Sequence, residues 1–139
     1  MVRAVLDPNV IISALLSPSG SPARVVQAWL AGDYELVVSP LLLGELERAL
    51  GYPKLRERVT EAETQEVIEL LRRGADLRDD PTRPPSVRSP DPGDDYLVAL
   101  AAANQALIVS GDGHLLGLSD DMPVYAPAVF LALIEGSHG

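Results

Sequence analysis

Apolar and polar positions alternate in short blocks along this chain. Val2-Arg3-Ala4-Val5-Leu6 is brief, partly β-branched and closed by Asp7-Pro8, as a buried strand would be. Asp7 can cap a helix whose first position is Pro8. The stretch NVIISALL (residues 9–16) is apolar almost all round, so that helix is expected to be buried. Ser21-Pro22 starts another helix, which carries Val25, Val26, Trp29 and Leu30 and stops at Gly32. Leu36-Val37-Val38 reads as a second strand. Ser39-Pro40 repeats the cap-and-proline start, and the helix LLLGELERAL ends near Gly51. Thr60-Glu61-Ala62-Glu63 is a capping box, opening a helix with Val67, Ile68, Leu70 and Leu71 inward.

Residues 79–93 are rich in Pro, Asp, Arg and Ser, and are expected to form a long surface loop. Too little chain follows for a second domain, so residues 1–139 are read as one. After the loop come an Ala-rich helix (YLVALAAAN), a strand over 106–110, a helical piece after Asp112, a strand over 124–126 and a helix opened by Pro127. Strands alternating with helices predict an α/β fold, a three-layer αβα sandwich around a central parallel sheet. Right-handed crossovers would line the strand C-termini along one edge.

Composition narrows the chemistry. The chain has 139 residues, 47% of them apolar, enough for one cored domain and too apolar for disorder. It has no cysteine, which excludes disulfides, thiolate metal sites, iron–sulfur clusters and cysteine nucleophiles, and fits a reducing cytoplasm. No apolar run approaches the ~20 residues of a membrane span. Asp7 interrupts the place where a signal peptide is apolar. A cytoplasmic protein without a membrane partner is expected. Net charge is −9, which as a whole disfavours phosphate. The charge is uneven, however. All eleven Lys and Arg lie between Arg3 and Arg88, and residues 89–139 carry only acids.

Ligands of open parallel sheets bind at the carboxyl ends of the strands. Asp7 directly follows the first strand, and Asp112 follows the strand that ends near Ser110. Glu45 lies on the helix after the second strand among Leu42, Leu43 and Leu46, and Asp94 opens the Ala-rich helix. Taken one by one, these residues also read as ordinary structure: Asp7 and Asp94 as helix caps, Asp112 as a turn former, Glu45 as an exposed helix position. Four carboxylates converging on one edge would repel unless a cation intervened. Oxygen donors without cysteine favour Mg²⁺ or Mn²⁺ over zinc. Such ions commonly serve phosphate chemistry, one lowering the pKa of water and a second stabilising the leaving oxygen.

These blocks resemble the PIN domain, and in particular the VapC-like toxins of bacterial and archaeal toxin–antitoxin pairs. LDPNVIISALL is similar to the family's strand–Asp–x–Asn–helix start, with Asp7 and Asn9. LLLGELERAL followed by Tyr52-Pro53-Lys54-Leu55 resembles the second block, with Glu45. DPGDDYLVALAAA resembles the third, in which Asp91, Asp94 and Asp95 are all candidates for the acid; Asp94 matches the helix pattern best, with Asp95 beside it as the alternative or as an outer ligand. IVSGDGHLL resembles the fourth, with Ser110 and Asp112. Asp91 is expected to shape the Asp91-Pro92-Gly93 turn. Pro8 stands where many relatives carry a small hydroxyl residue.

The resemblance implies a metal-dependent endoribonuclease. Asp7, Glu45, Asp94 and Asp112 would hold one or two Mg²⁺ or Mn²⁺ ions, and a metal-activated water would cut RNA to 5′-phosphate and 3′-hydroxyl ends. Asn9 and Ser110 would support the acids, and neither His114 nor His138 is expected to be catalytic. A cognate antitoxin and a homodimer are implied as well. Arg24, Lys54, Arg83 and Arg88 are the candidate RNA contacts. The competing readings are a non-catalytic PIN-shaped interaction module and another Mg²⁺-binding α/β domain of phosphate chemistry. A phosphotransfer receiver would need a late Lys, and none follows Lys54. A phosphate-loop NTPase would need a glycine-rich stretch before Lys-Ser or Lys-Thr, which is missing.

Overall fold

The computed structural model describes residues 1–138, with side chains as far as Gly136. His138 therefore falls outside the described side chains. The expected elements are present. They are β1 (Arg3–Leu6), α1 (Pro8–Leu16), α2 (Ser21–Leu30), β2 (Glu35–Val38), α3 (Pro40–Leu50), α5 (Glu61–Gly74), α6 (Asp95–Ala103), β4 (Leu107–Val109), α7 (Gly113–Leu116), β5 (Val124–Tyr125) and α8 (Pro127–His138). Two short elements give no sequence signal: α4 (Pro53–Arg56) and β3 (Asp76–Leu77). Pro92–Asp94 form a 3-10 turn just before α6.

The starts follow local chemistry. Ser39 Oγ accepts from the Leu42 N–H at 3.3 Å, with Pro40 at the first helical position. The capping box is complete: Thr60 Oγ1 accepts from the Glu63 N–H, and Glu63 Oε1 accepts from the Thr60 N–H. Those hydrogen bonds favour the carboxylate form and lower the Glu63 pKa.

The five strands form one parallel sheet in the order β3-β2-β1-β4-β5. The run β1 to β3 moves outward in one direction. The chain then crosses back to β4 and continues to β5. Right-handed crossovers of opposite direction carry their helices to opposite faces, which makes the three layers. Accordingly α1 packs on α2 and α3, α3 on α5, and α8 on α2, while α6 lies on β1 and β4.

β1 is central, and its Ala4, Val5 and Leu6 are fully buried. The core continues through Val37 and Val38 of β2, Leu42, Leu46 and Leu50 of α3, Leu100 of α6, Ile108 of β4 and Phe130 of α8. The apolar helix α1 buries Val10, Ile11 and Ile12, as its sequence requires. No helix among the described residues is long and apolar enough to cross a membrane.

Candidate functional site

The strand order reverses between β1 and β4. Neighbouring strands whose connections leave to opposite faces open a crevice at their carboxyl ends. Asp7 sits there. Its N–H donates to the Val109 carbonyl at 3.0 Å, which ties the residue across to β4. The residue is 4% exposed. Oδ1 accepts from the Asn9 N–H at 3.0 Å, the expected helix cap. Oδ2 accepts from the Ser110 hydroxyl at 2.8 Å. Ser110 is fully buried, and its Oγ accepts in turn from the Asp112 N–H at 2.9 Å. Asp112 Oδ1 accepts from the His114 N–H at 2.8 Å and so caps α7. One buried hydroxyl thus orients the Asp7 carboxylate and fixes the backbone of Asp112. Carboxylate oxygens accept more than one hydrogen bond, so capping does not exhaust either acid.

Asp94 ends the 3-10 turn, close enough to feel the charges of Asp112 and Asp7. It occupies the N-cap position of α6, yet its side chain makes no capping bond. Its Oδ2 is buried with no hydrogen-bond partner among the described residues. Burial, and then the negative charges of Asp112, Asp7 and Asp91, raise its pKa from 3.8 to about 6, against a smaller opposing effect of His114. An orphaned, proton-hungry carboxylate facing two others lacks a positive charge. The donor set is all oxygen, the type that holds Mg²⁺ or Mn²⁺. The donor chemistry of Asp7, Asp94 and Asp112 therefore suits a hard divalent cation, although as placed the three do not enclose one.

Glu45 is placed differently. Its carboxylate pairs with Arg48 on its own helix and is 44% exposed. The phenol of Tyr96 links the two regions electrostatically. Burial, and then the charges of Asp7, Asp94 and Asp80, keep it protonated well above the usual tyrosine range, with Arg48 opposing. Among the described residues, no three Asp, Glu or His side chains close on a common point tightly enough to enclose an ion. Asp94 feels Asp7 and Asp112 without contact, as like charges do, and Glu45 stands with Arg48.

The remaining candidates divide between loop architecture and surface. Asp91 Oδ1 accepts from the Gly93 N–H at 3.0 Å and builds the expected turn. Asp95, read from sequence as an outer ligand, is turned toward the preceding loop. Its Oδ1 accepts from the Ser89 N–H at 2.9 Å, and Oδ2 lies 3.4 Å from Arg88 Nη1. Arg24 pairs with Glu135 at 3.3 Å. Lys54, Arg83, Asn9 and His114 are exposed. Sequence reading passed over Arg48, Tyr96 and Asp80. Arg48 had a usable signal, three residues after Glu45 and so on the same helical face. Asp80 had none: it lies in the Pro-rich loop, and only the tertiary fold brings its Oδ2 to the Leu41 N–H, 3.0 Å away at the start of α3.

Asp7 and Asp112 open onto a cleft of about 390 Å³ whose walls include Asn9, Ser13, Pro22 and Pro127. A larger hollow, about 670 Å³, lies at the opposite end of the sheet. There the acids are already neutralised. Arg3 donates to Glu35 at 2.6 Å and to Asp76 at 3.0 Å. Desolvation alone would raise the Asp76 pKa, but hydrogen bonds from Arg3 and Arg78 outweigh it and the net shift is downward. Uncompensated negative charge, not cavity size, distinguishes the β1/β4 crevice as the candidate site.

The PIN domain family model matches residues 3–114, a span that includes Asp7, Glu45, Asp94 and Asp112. The chain belongs to the PIN domain family, whose members are in general nucleases. It is 26% identical over 121 residues to the uncharacterized protein MJ1680 of Methanocaldococcus jannaschii, covering 86% of this chain and 77% of that protein. Its fold is shared with VapBC2 of Rickettsia felis, solved on a DNA fragment from its promoter. The TM-score is 0.59 at 12% identity, over 88% of this chain and 97% of that one. VapBC-1 of nontypeable Haemophilus influenzae gives 0.59 at 15% identity, over 91% and 99%. FitAcB of Neisseria gonorrhoeae gives 0.53 at 20% identity, over 90% and 98%.

Proposed function

We propose that this protein is a divalent-cation-dependent endoribonuclease of the toxin type, restrained by an antitoxin protein. The observation that carries the reading is Asp94, whose buried Oδ2 has no partner and whose pKa is raised to about 6 beside Asp7 and Asp112. A nuclease family and a set of oxygen donors at a sheet switch point agree with it. The cation would neutralise the crevice, acidify a water and stabilise the leaving oxygen.

Asp7, Asp94 and Asp112 would hold that cation, with Glu45 as the fourth acid of the set. Ser110 keeps Asp7 aimed by donating to Oδ2, and the Asn9 amide fixes Oδ1. Asp94 holds a proton below about pH 6 and would have to lose it to serve as a ligand. The RNA backbone would be gripped by few cations. Lys54 and Arg83 are exposed, while Arg24 and Arg88 would exchange a carboxylate partner for phosphate. Few phosphates neutralised means a shallow salt dependence of binding. An acidic crevice also suits an Arg-rich antitoxin segment, and a homodimer belongs to the same proposal.

The test is cleavage of a mixed RNA pool with Mg²⁺ or Mn²⁺, with chelator, and with Asp94→Asn. Cutting is expected only with the ion and the native acid. Equal cutting by Asp94→Asn, or in chelator, would sink the proposal; absence of both cutting and Mn²⁺ binding would favour the non-catalytic module.

The raised Asp94 pKa sets a pH dependence. The folded state holds this proton up to about pH 6, whereas the unfolded chain releases it near 3.8. Between those values the folded state binds more protons, so without added cation its stability falls as pH rises. Cation binding needs the carboxylate, so Mn²⁺ affinity is expected to drop as pH falls below about 6. Calorimetric titration of wild type and Asp94→Asn across pH 5 to 8 checks this: wild type should show the drop, and the variant should bind weakly throughout.

A further inference from the structure

Two adjacent aspartates open α6, and helix geometry turns successive side chains by about 100°. They cannot share one task. Asp94 lies within the field of Asp112 and Asp7, and its buried Oδ2 has no hydrogen-bond partner among the described residues to hold it. Its direction must come from the backbone of the turn that carries it.

That backbone is closed into a ring of hydrogen bonds. Asp95 Oδ1 accepts from the Ser89 N–H at 2.9 Å. Ser89 is 7% exposed, and its Oγ accepts from the Asp91 N–H at 3.2 Å. The Asp91 carbonyl accepts from the Asp94 N–H at 3.0 Å. Arg88, the residue before Ser89, faces Asp95 Oδ2 and donates to the Pro85 carbonyl at 3.1 Å. The path runs from Asp95 through Ser89 and Asp91 and returns to Asp94.

We infer that Asp95 is a positioning residue: it fastens residues 88–91 onto the start of α6 and thereby aims Asp94 into the crevice, without itself holding the cation. The inference rests on the nuclease reading only for what Asp94 does once aimed. Without the clasp, the buried Ser89 amide loses its acceptor and the turn loosens. Outer groups that orient ligands are typically worth 10- to 100-fold in metal affinity.

Asparagine separates the roles, because its carbonyl oxygen still accepts from Ser89 while its charge is gone. Mn²⁺ affinity and hydrogen exchange of the Ser89 amide are measured on wild type, Asp95→Ala and Asp95→Asn. Asp95→Ala is expected to lose Ser89 protection and about 10-fold in Mn²⁺ affinity. Asp95→Asn is expected to keep the protection and to stay within about 3-fold of wild type, since it spares the clasp. Asp95→Asn that keeps Ser89 protected but binds Mn²⁺ as weakly as Asp95→Ala makes Asp95 a ligand and overturns the inference. So does Asp95→Ala that loses protection yet binds normally. If wild type binds no Mn²⁺, the nuclease reading fails, and the clasp is judged on Ser89: protection lost only in the alanine variant supports it, and protection unchanged in both overturns it.

Discussion

Asp7→Asn is expected to lower ion-dependent RNA cleavage by roughly 100-fold or more, because in the proposed site it would remove a charged ligand and not merely the orientation of one. The fold should survive. Asparagine can still cap α1 through its carbonyl oxygen, and its amide can donate to Ser110 Oγ, reversing the present bond. Removing one of the negative charges that act on Asp94 should also bring its pKa back down from about 6 toward the ordinary value. Carboxyl-carbon NMR titration reads that shift, and thermal unfolding reads the fold. Cleavage within a few-fold of wild type would remove Asp7 from the machinery. Unchanged Asp94 titration would mean that the two acids do not share a field.

The largest effect on stability is expected at Phe130. It is the single phenylalanine of the chain and is fully buried. Its ring meets Tyr34 edge-on, with centroids 4.9 Å apart and planes at 90°. Tyr34 is anchored by its hydroxyl, which donates to the Val25 carbonyl at 2.9 Å. The contact joins α8 to the start of β2, while α8 also packs on α2. Phe130→Ala should cost about 3–5 kcal/mol, since it loses both burial and packing around a cavity. Urea denaturation measures it. In a double-mutant cycle with Tyr34→Leu, the edge-on contact itself should account for only about 1 kcal/mol. A cost below about 1 kcal/mol for Phe130→Ala would mean that α8 contributes little to the core.

Much of the fold was legible because its signals are local. Serine, threonine or aspartate followed by proline or by a spaced glutamate opens α1, α3 and α5. The starts at Asp7, Ser39 and Thr60 needed nothing from elsewhere in the chain. β3 was not legible. Asp76–Leu77 carry no strand pattern, and they form one only by pairing with Val37 and Val38. α4 is a single turn after Pro53, too short to show a period.

The site divides the same way. Order along the chain placed Asp7 and Asp112 at strand ends, and the parallel sheet made those ends neighbours. Glu45 was read on its apolar flanks, and those leucines are buried, but its carboxylate pairs with Arg48 because that partner is one turn away and already charged.

By itself, then, the sequence determined the layered parallel architecture, the strand ends at which Asp7 and Asp112 lie and the oxygen character of the candidate donors. All of these follow from spacing and residue type. Only the tertiary structure shows that Asp95 is tied to the preceding loop while Asp94 Oδ2 is left without a partner among the described residues. A step of about 100° on a helix says that one of them points away, not which. The tie runs to Ser89, a buried residue of the loop just before α6 whose N–H takes Asp95 Oδ1 as its acceptor.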